Sequence, residues 1–122
     1  MSLLYFVYAS NILVAGWVGF TCLFYPKKAQ KSVFNGTVAY SETIRLVGSL
    51  WSAIVVISVL GFMFPIQMSV ILIFQWIYKT SWLIIVGLPA SLTNKPYPLE
   101  MAIFFSIWSL SLPFIIPWNN LF

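Results

Sequence analysis

The sequence predicts an all-α membrane protein with four transmembrane helices in one antiparallel bundle. Hydrophobic residues make up 61% of its 122 residues and charged residues only 7%, against about 45–50% and 25% in soluble proteins. The apolar residues fall into four stretches, each near the ~20 residues that a helix needs to cross a bilayer. Because a backbone in lipid must satisfy its hydrogen bonds internally, such stretches are expected to be helical. Together they leave no room for a separate soluble domain.

The first two predicted spans cover residues 3–25 and 43–64. In the first span, Ala15 and Gly19 lie one helical turn apart, and small residues at this spacing allow two helices to approach closely. The second span contains Gly48, which we assign to the same kind of packing.

The last two predicted spans cover residues 67–88 and 99–118. Only a few residues around Pro65 separate the second span from the third, so we expect those helices to be neighbours and antiparallel. In the fourth span, Pro113 and Pro117 lack the backbone donor of a regular helix and should bend or end it.

Charge in the loops predicts the orientation of the chain. Lysines occur in the loops at 26–42 and 89–98, whereas the turn at Pro65 and both tails carry no charged side chain. Since cytoplasmic loops carry an excess of Lys and Arg, these two loops should be cytoplasmic and both termini should lie outside.

Lys79 interrupts the third apolar stretch near its middle, and Gln75 precedes it by one turn on the same helix face. A lysine at this depth costs about 2.5–3.5 kcal/mol to insert and normally marks a function or a partner. We expect an ion pair with Glu100, or in second place with Glu42; the alternative is a lysine that snorkels or meets backbone carbonyls. The candidate ligand or ion residues are Lys79, Gln75, Glu100, Glu42, Arg45, Ser49, Ser52 and Ser106.

Missing residue types exclude several kinds of chemistry. The chain has no histidine and no aspartate, and its single cysteine is Cys22. Sites for haem on paired histidines, for zinc and for di-iron carboxylate clusters are therefore not expected, nor is histidine-based acid–base catalysis. We predict no cofactor, no metal and no enzymatic activity. The few basic residues suit topology and anionic headgroups rather than a nucleic acid.

The stretch from Arg45 through Gly48 and Trp51 to Pro65 resembles the second helix of small bacterial four-helix membrane proteins of the DoxX-like group. The shared features are a charged helix entry, a glycine three residues on and a short proline turn before the next helix. The resemblance covers roughly the middle third of the chain. It implies a four-helix fold and a bacterial inner membrane, with redox-complex and membrane-stress roles associated with some members.

Two functions are consistent with these features. The first is a non-enzymatic subunit or assembly partner that packs inside the membrane against larger membrane proteins, against copies of itself and against lipids. The second is a bundle that handles a small molecule, a lipid, an ion or a proton in a polar cavity around Lys79.

Overall fold

The computed structural model describes residues 2–122, and all regular secondary structure in that range is helical. The described residues form six helices: α1 Ser2–Phe24, α2 Pro26–Ser32, α3 Thr43–Gly61, α4 Pro65–Leu92, α5 Leu99–Ile115 and α6 Trp118–Leu121. Helices α1, α3 and α4 are long and apolar enough to cross a membrane, and α5 is a shorter apolar helix. The prediction of an all-α chain with membrane-spanning helices is therefore confirmed for three spans.

The ends of α3, α4 and α5 that lie next to Pro65 and Pro117 differ from the predicted spans. Helix α3 ends at Gly61 because the next residues form the turn before Pro65. Pro65 then begins α4, at a position where no backbone donor is required. Helix α5 ends at Ile115 instead of continuing to 118, because Ile116 takes an extended conformation in front of Pro117.

The long helices pack as two pairs, α1 with α3 and α4 with α5. Contact between α3 and α4 is concentrated at the Pro65 end. There the Tyr8 hydroxyl donates a hydrogen bond to the carbonyl of Pro65 at 2.6 Å, which ties α1 to the turn. Further along, α3 and α4 stay in contact through large side chains, since the rings of Trp51 and Tyr78 lie 6.4 Å apart. The two helices are therefore neighbours, as expected from the short turn.

The α1–α3 pair depends on two glycines. A Cβ atom on Gly48 would lie 2.6 Å from the backbone nitrogen of Leu23 and 2.9 Å from the carbonyl oxygen of Gly19. A Cβ atom on Gly19 would lie 3.1 Å from the backbone nitrogen of Ser52. The buried Ala15 continues the same contact. The two backbones are in direct contact here, so α1 and α3 can lie this close only because glycine has no side chain.

Large apolar side chains cover the outside of the bundle. Phe114 is 89% exposed, and Leu110 and Leu13 are exposed to 75% and 74%. A surface of this kind is stable in the hydrocarbon layer of a bilayer and not in water.

Substitution of Gly48 by Ala should destabilise the bundle by about 1–3 kcal/mol, because the new methyl group would collide with backbone atoms of α1. Gly16→Ala is the matched control, since its Cβ would meet only Val55 Cγ2 at 3.9 Å. Thermal unfolding in mild detergent, followed by circular dichroism, measures both. Equal melting temperatures for the two variants would contradict the close packing of α1 against α3.

Candidate functional site

Lys79 lies in the middle of α4 and is 1% exposed. The ion pair that we expected with Glu100 does not form, and neither does one with Glu42. Within residues 2–122 the ion pair is Arg45 with Glu42, at 3.7 Å. Glu100 and Glu42 both remain exposed at helix ends. The lysine also does not snorkel, because its whole side chain is buried inside the bundle.

Five aromatic rings surround the ammonium group of Lys79. Its Nζ atom lies 5.3 to 5.6 Å from each ring centroid, within the range of cation–π attraction. The rings belong to Trp51, Tyr78, Phe104, Phe105 and Trp108, and we call this set the aromatic cage. Since the rings come from α3, α4 and α5, the lysine connects three helices at one point.

Contacts between rings hold the cage in shape. Trp51 of α3 stacks on Phe105 of α5 with centroids 6.1 Å apart and planes inclined by 22°. Tyr78 and Trp82 of α4 meet Phe105 edge-on, at 6.0 and 5.4 Å. Offset stacks and edge contacts are the favourable geometries for aromatic pairs. Phe105 is therefore the ring around which the three helices meet.

A second polar cluster lies toward the Pro65 end of the same interior. The Asn11 amide nitrogen donates to Gln75 Oε1 at 2.8 Å, and Gln75 Nε2 donates back to Asn11 Oδ1 at 3.1 Å. Asn11 Nδ2 also donates to the hydroxyl of Ser58 at 3.2 Å. All three side chains are buried, so this amide cluster joins α1, α3 and α4. A π-helical segment, Asn11–Ala15, begins at the asparagine.

Of the residues singled out from the sequence, only Lys79 and Gln75 reach the interior site. Three serines instead donate their hydroxyl groups to carbonyls one turn earlier on their own helix, which is the usual local use of serine in a span; they are Ser49, Ser52 and Ser106. Asn11 was missed as the partner of Gln75, and Ser58 was missed as a second partner of Asn11. A lone amide in an otherwise apolar first span was the one available signal.

An apolar cavity of about 380 Å³ adjoins the aromatic cage between α3 and α4, and we call it the cleft. Three cage rings line it, from Trp51, Tyr78 and Phe105. Its other lining residues are Phe34, Val47, Leu50, Ile54, Phe74, Trp82 and Met101. Leu50 and Phe74 are 51% and 46% exposed, so the cleft opens sideways toward the surroundings of the bundle. It contains none of the polar residues that we expected to line a cavity.

A smaller cavity of about 150 Å³ lies on the other side of Trp51 and Phe105, between α1 and α5. Glu100 is part of its lining, together with Trp17 and Phe104. The carboxylate and the caged ammonium are thus separated by aromatic rings rather than joined.

Two polar atoms of the cage have no hydrogen-bond partner within residues 2–122, the Tyr78 hydroxyl and the Trp108 indole nitrogen. Both are buried, and Tyr78 also lines the cleft. In the same described range, no group of three or more His, Cys, Asp or Glu side chains is placed to hold a metal ion.

No family model, curated protein or solved structure matches this chain. The interpretation of the site therefore depends on its own geometry.

Replacement of Asn11 by Leu should lower the free energy of unfolding by about 1–3 kcal/mol, because it leaves the Gln75 amide buried without its partner. Exchanging both residues for Leu should recover part of that loss, since no unpaired amide remains. Ser49→Ala, at an exposed position, should change stability by less than about 0.5 kcal/mol. Chemical denaturation in mild detergent measures the series. An Asn11→Leu variant as stable as the parent chain would contradict the role of the amide cluster.

Proposed function

We propose that the protein is a non-enzymatic, four-span membrane protein that acts as a subunit or assembly partner of a larger membrane complex or of its own oligomer. In this proposal α5 is the fourth span, the loops at 26–42 and 89–98 face the cytoplasm, and both termini lie outside. A bacterial inner membrane and the DoxX-like fold, both inferred from the resemblance of the second helix, belong to the same proposal.

Helix α5 suits the role of a short fourth span. Its 17 residues reach about 26 Å at 1.5 Å per residue. That length is a few ångströms less than the hydrocarbon layer, a mismatch that a bilayer accommodates by local thinning. Trp118 begins α6 just beyond the end of this helix, where an amphipathic ring favours the headgroup layer.

The enclosure of Lys79 is the observation that carries the proposed function. A transported ion or a proton pathway requires polar groups that water or the ion can reach. Here the ammonium is surrounded by the rings of the chain itself, and the amide cluster is satisfied internally. The buried polar groups thus serve to join helices, and the surfaces left for an external partner are apolar.

The cleft is the natural contact point for such a partner. It is apolar, it opens sideways between α3 and α4, and its size is that of one or two large side chains. An aromatic or aliphatic side chain from a neighbouring transmembrane helix would fill it without exposing any polar group.

A photoreactive amino acid at Leu50, at the mouth of the cleft, should crosslink in membranes to one protein species, either a larger partner or a second copy. The control position is Val56, which is 60% exposed on the same helix and lies on a different face of α3. Val56 should crosslink mainly to lipid. Mass spectrometry of the products distinguishes these outcomes. Lipid adducts alone at both positions would contradict the proposal.

Lys79→Met should fold and keep its crosslinking partner, because loss of the cation–π attraction is offset by loss of the insertion cost and by contacts of the Met sulfur with the rings. Lys79→Glu, which places an anion against five ring faces, should fail to fold. The yield of monodisperse protein from mild detergent and the melting temperature measure both. Loss of the crosslinking partner by a folded Lys79→Met variant would contradict a purely structural role for the lysine.

The volume of the cleft favours a second candidate function, binding of an apolar small molecule. About 380 Å³ falls within the range of ligand pockets. The rings of Trp51, Tyr78 and Phe105 offer stacking and apolar contacts to such a molecule. In this case the occupant of the cleft is a ligand instead of a side chain of a partner protein.

Quenching of tryptophan fluorescence by a decyl-benzoquinone tests the second candidate, since Trp51 and Trp82 line the cleft. Val47→Phe should fill the cleft and remove saturable quenching, whereas Val56→Phe, on the exposed side of the same helix, should leave it unchanged. Quenching that does not saturate in the parent chain, and that is equal in the parent and both variants, would exclude the small-molecule function.

A further inference from the structure

A further cleft lies beside the C-terminal end of α1, near the start of α3. It has a volume of about 550 Å³ and is lined by Phe24, Tyr25, Pro26, Lys27, Lys28, Tyr40 and Arg45. These residues come from the end of α1, from the segment that follows it and from the first turn of α3. Since both helices are long enough to cross a membrane, this basic cleft lies at the level of the lipid headgroups.

Positive charge dominates the basic cleft. Three cationic side chains line it, Lys27, Lys28 and Arg45, and the nearby carboxylate is Glu42, which pairs with Arg45 at 3.7 Å. That pair is largely exposed and therefore weak. The ammonium group of Lys27 lies 5.7 Å from the ring centroid of Tyr40 across the cleft. An anion in the cleft would meet three donors and only one opposing charge.

An apolar track continues from the basic cleft along α1. The rings of Phe20 and Phe24 lie 5.0 Å apart, and those of Phe20 and Tyr25 lie 5.8 Å apart. All three side chains are more than half exposed. They form a continuous surface that starts at the cations and runs toward the apolar centre of the span.

We propose that the basic cleft binds the headgroup of an anionic phospholipid, with its phosphate between Lys27, Lys28 and Arg45 and an acyl chain along Phe20 and Phe24. The three cationic side chains by themselves would bind a free phosphate ion equally well. The apolar track is what selects a lipid, because only a lipid covers both parts of the surface. Basic pockets beside transmembrane helices are established sites for anionic headgroups. This site is independent of the cleft between α3 and α4.

Native mass spectrometry of the full chain in mild detergent, titrated with phosphatidylglycerol or phosphatidylcholine, tests the proposal. The parent chain should retain phosphatidylglycerol in preference to phosphatidylcholine. Lys27→Gln together with Lys28→Gln should weaken phosphatidylglycerol binding roughly 25-fold. Each basic residue near an anionic surface strengthens binding about fivefold, and two such residues are lost. Arg45→Gln alone should weaken it about fivefold on the same basis.

The matched control is Lys31→Gln with Lys95→Gln, which removes the same charge from positions outside the cleft. This variant should change the affinity less than threefold. An equal loss in both double variants would mean diffuse charge attraction and would overturn the site. Equal retention of phosphatidylcholine, or displacement of the lipid by an equimolar amount of inorganic phosphate, would overturn its assignment to an anionic lipid. The melting temperature of each variant establishes that it is folded.

Discussion

The enclosure of the Lys79 side chain by five aromatic rings is the constraint around which the interior of this bundle is arranged. A charge in an apolar layer is unstable unless it is enclosed by groups that interact favourably with it. This chain has only two carboxylates, and both remain at helix ends. The faces of aromatic rings, which carry partial negative charge, take their place around Lys79. Because those rings belong to α3, α4 and α5 and contact one another, the cage joins three helices around one side chain.

The two helix pairs are held together by different means. Between α1 and α3, glycines bring the backbones into contact, and the amide cluster adds directional hydrogen bonds that extend to α4. Between α4 and α5, large rings pack against one another, and the indole of Trp76 donates to the carbonyl of Ser109 at 3.1 Å. Large rings cannot pack as closely as glycines. Beyond Pro65, α3 and α4 meet through large side chains such as Trp51 and Tyr78, and the cleft is the space that remains between them.

Much of this architecture could be predicted from the sequence, because helix in a membrane follows from apolar length alone. The all-α class and the first span were predicted in this way. Pro65 and Pro117 mark helix boundaries as proline chemistry suggests, whereas Pro113 lies inside α5 and does not end it. The surroundings of Lys79 were not predicted. An ion pair with an acidic residue was expected there because a buried charge is usually paired with an opposite charge. Aromatic rings are abundant throughout the chain, so nothing in the spacing of Phe104, Phe105 and Trp108 identifies them as its neighbours.

The partner of Gln75 could not be predicted for a related reason. Asn11 is 64 residues away in sequence. A π-helical segment also begins at Asn11, so the residues of α1 that share a face cannot be read from a regular 3.6-residue period. Serines were overestimated because a hydroxyl group in a span is readily satisfied by the carbonyl of its own helix. Polar residues on one predicted face thus did not assemble into a polar cavity, and the space beside Lys79 is aromatic instead.

The most direct test of the cage is an NMR spectrum of the folded protein in detergent with its five lysines labelled at the side-chain carbons. Protons on the lysine Cε that lie above aromatic rings are shifted upfield by the ring currents. One ε-methylene resonance, assigned to Lys79 by its loss in Lys79→Met, should lie well upfield of the other four, which belong to lysines outside the long apolar helices. Lys27, which faces the single ring of Tyr40, should be shifted less than Lys79. Five overlapping resonances at the position of solvent-exposed lysine would contradict the aromatic cage and the account built on it.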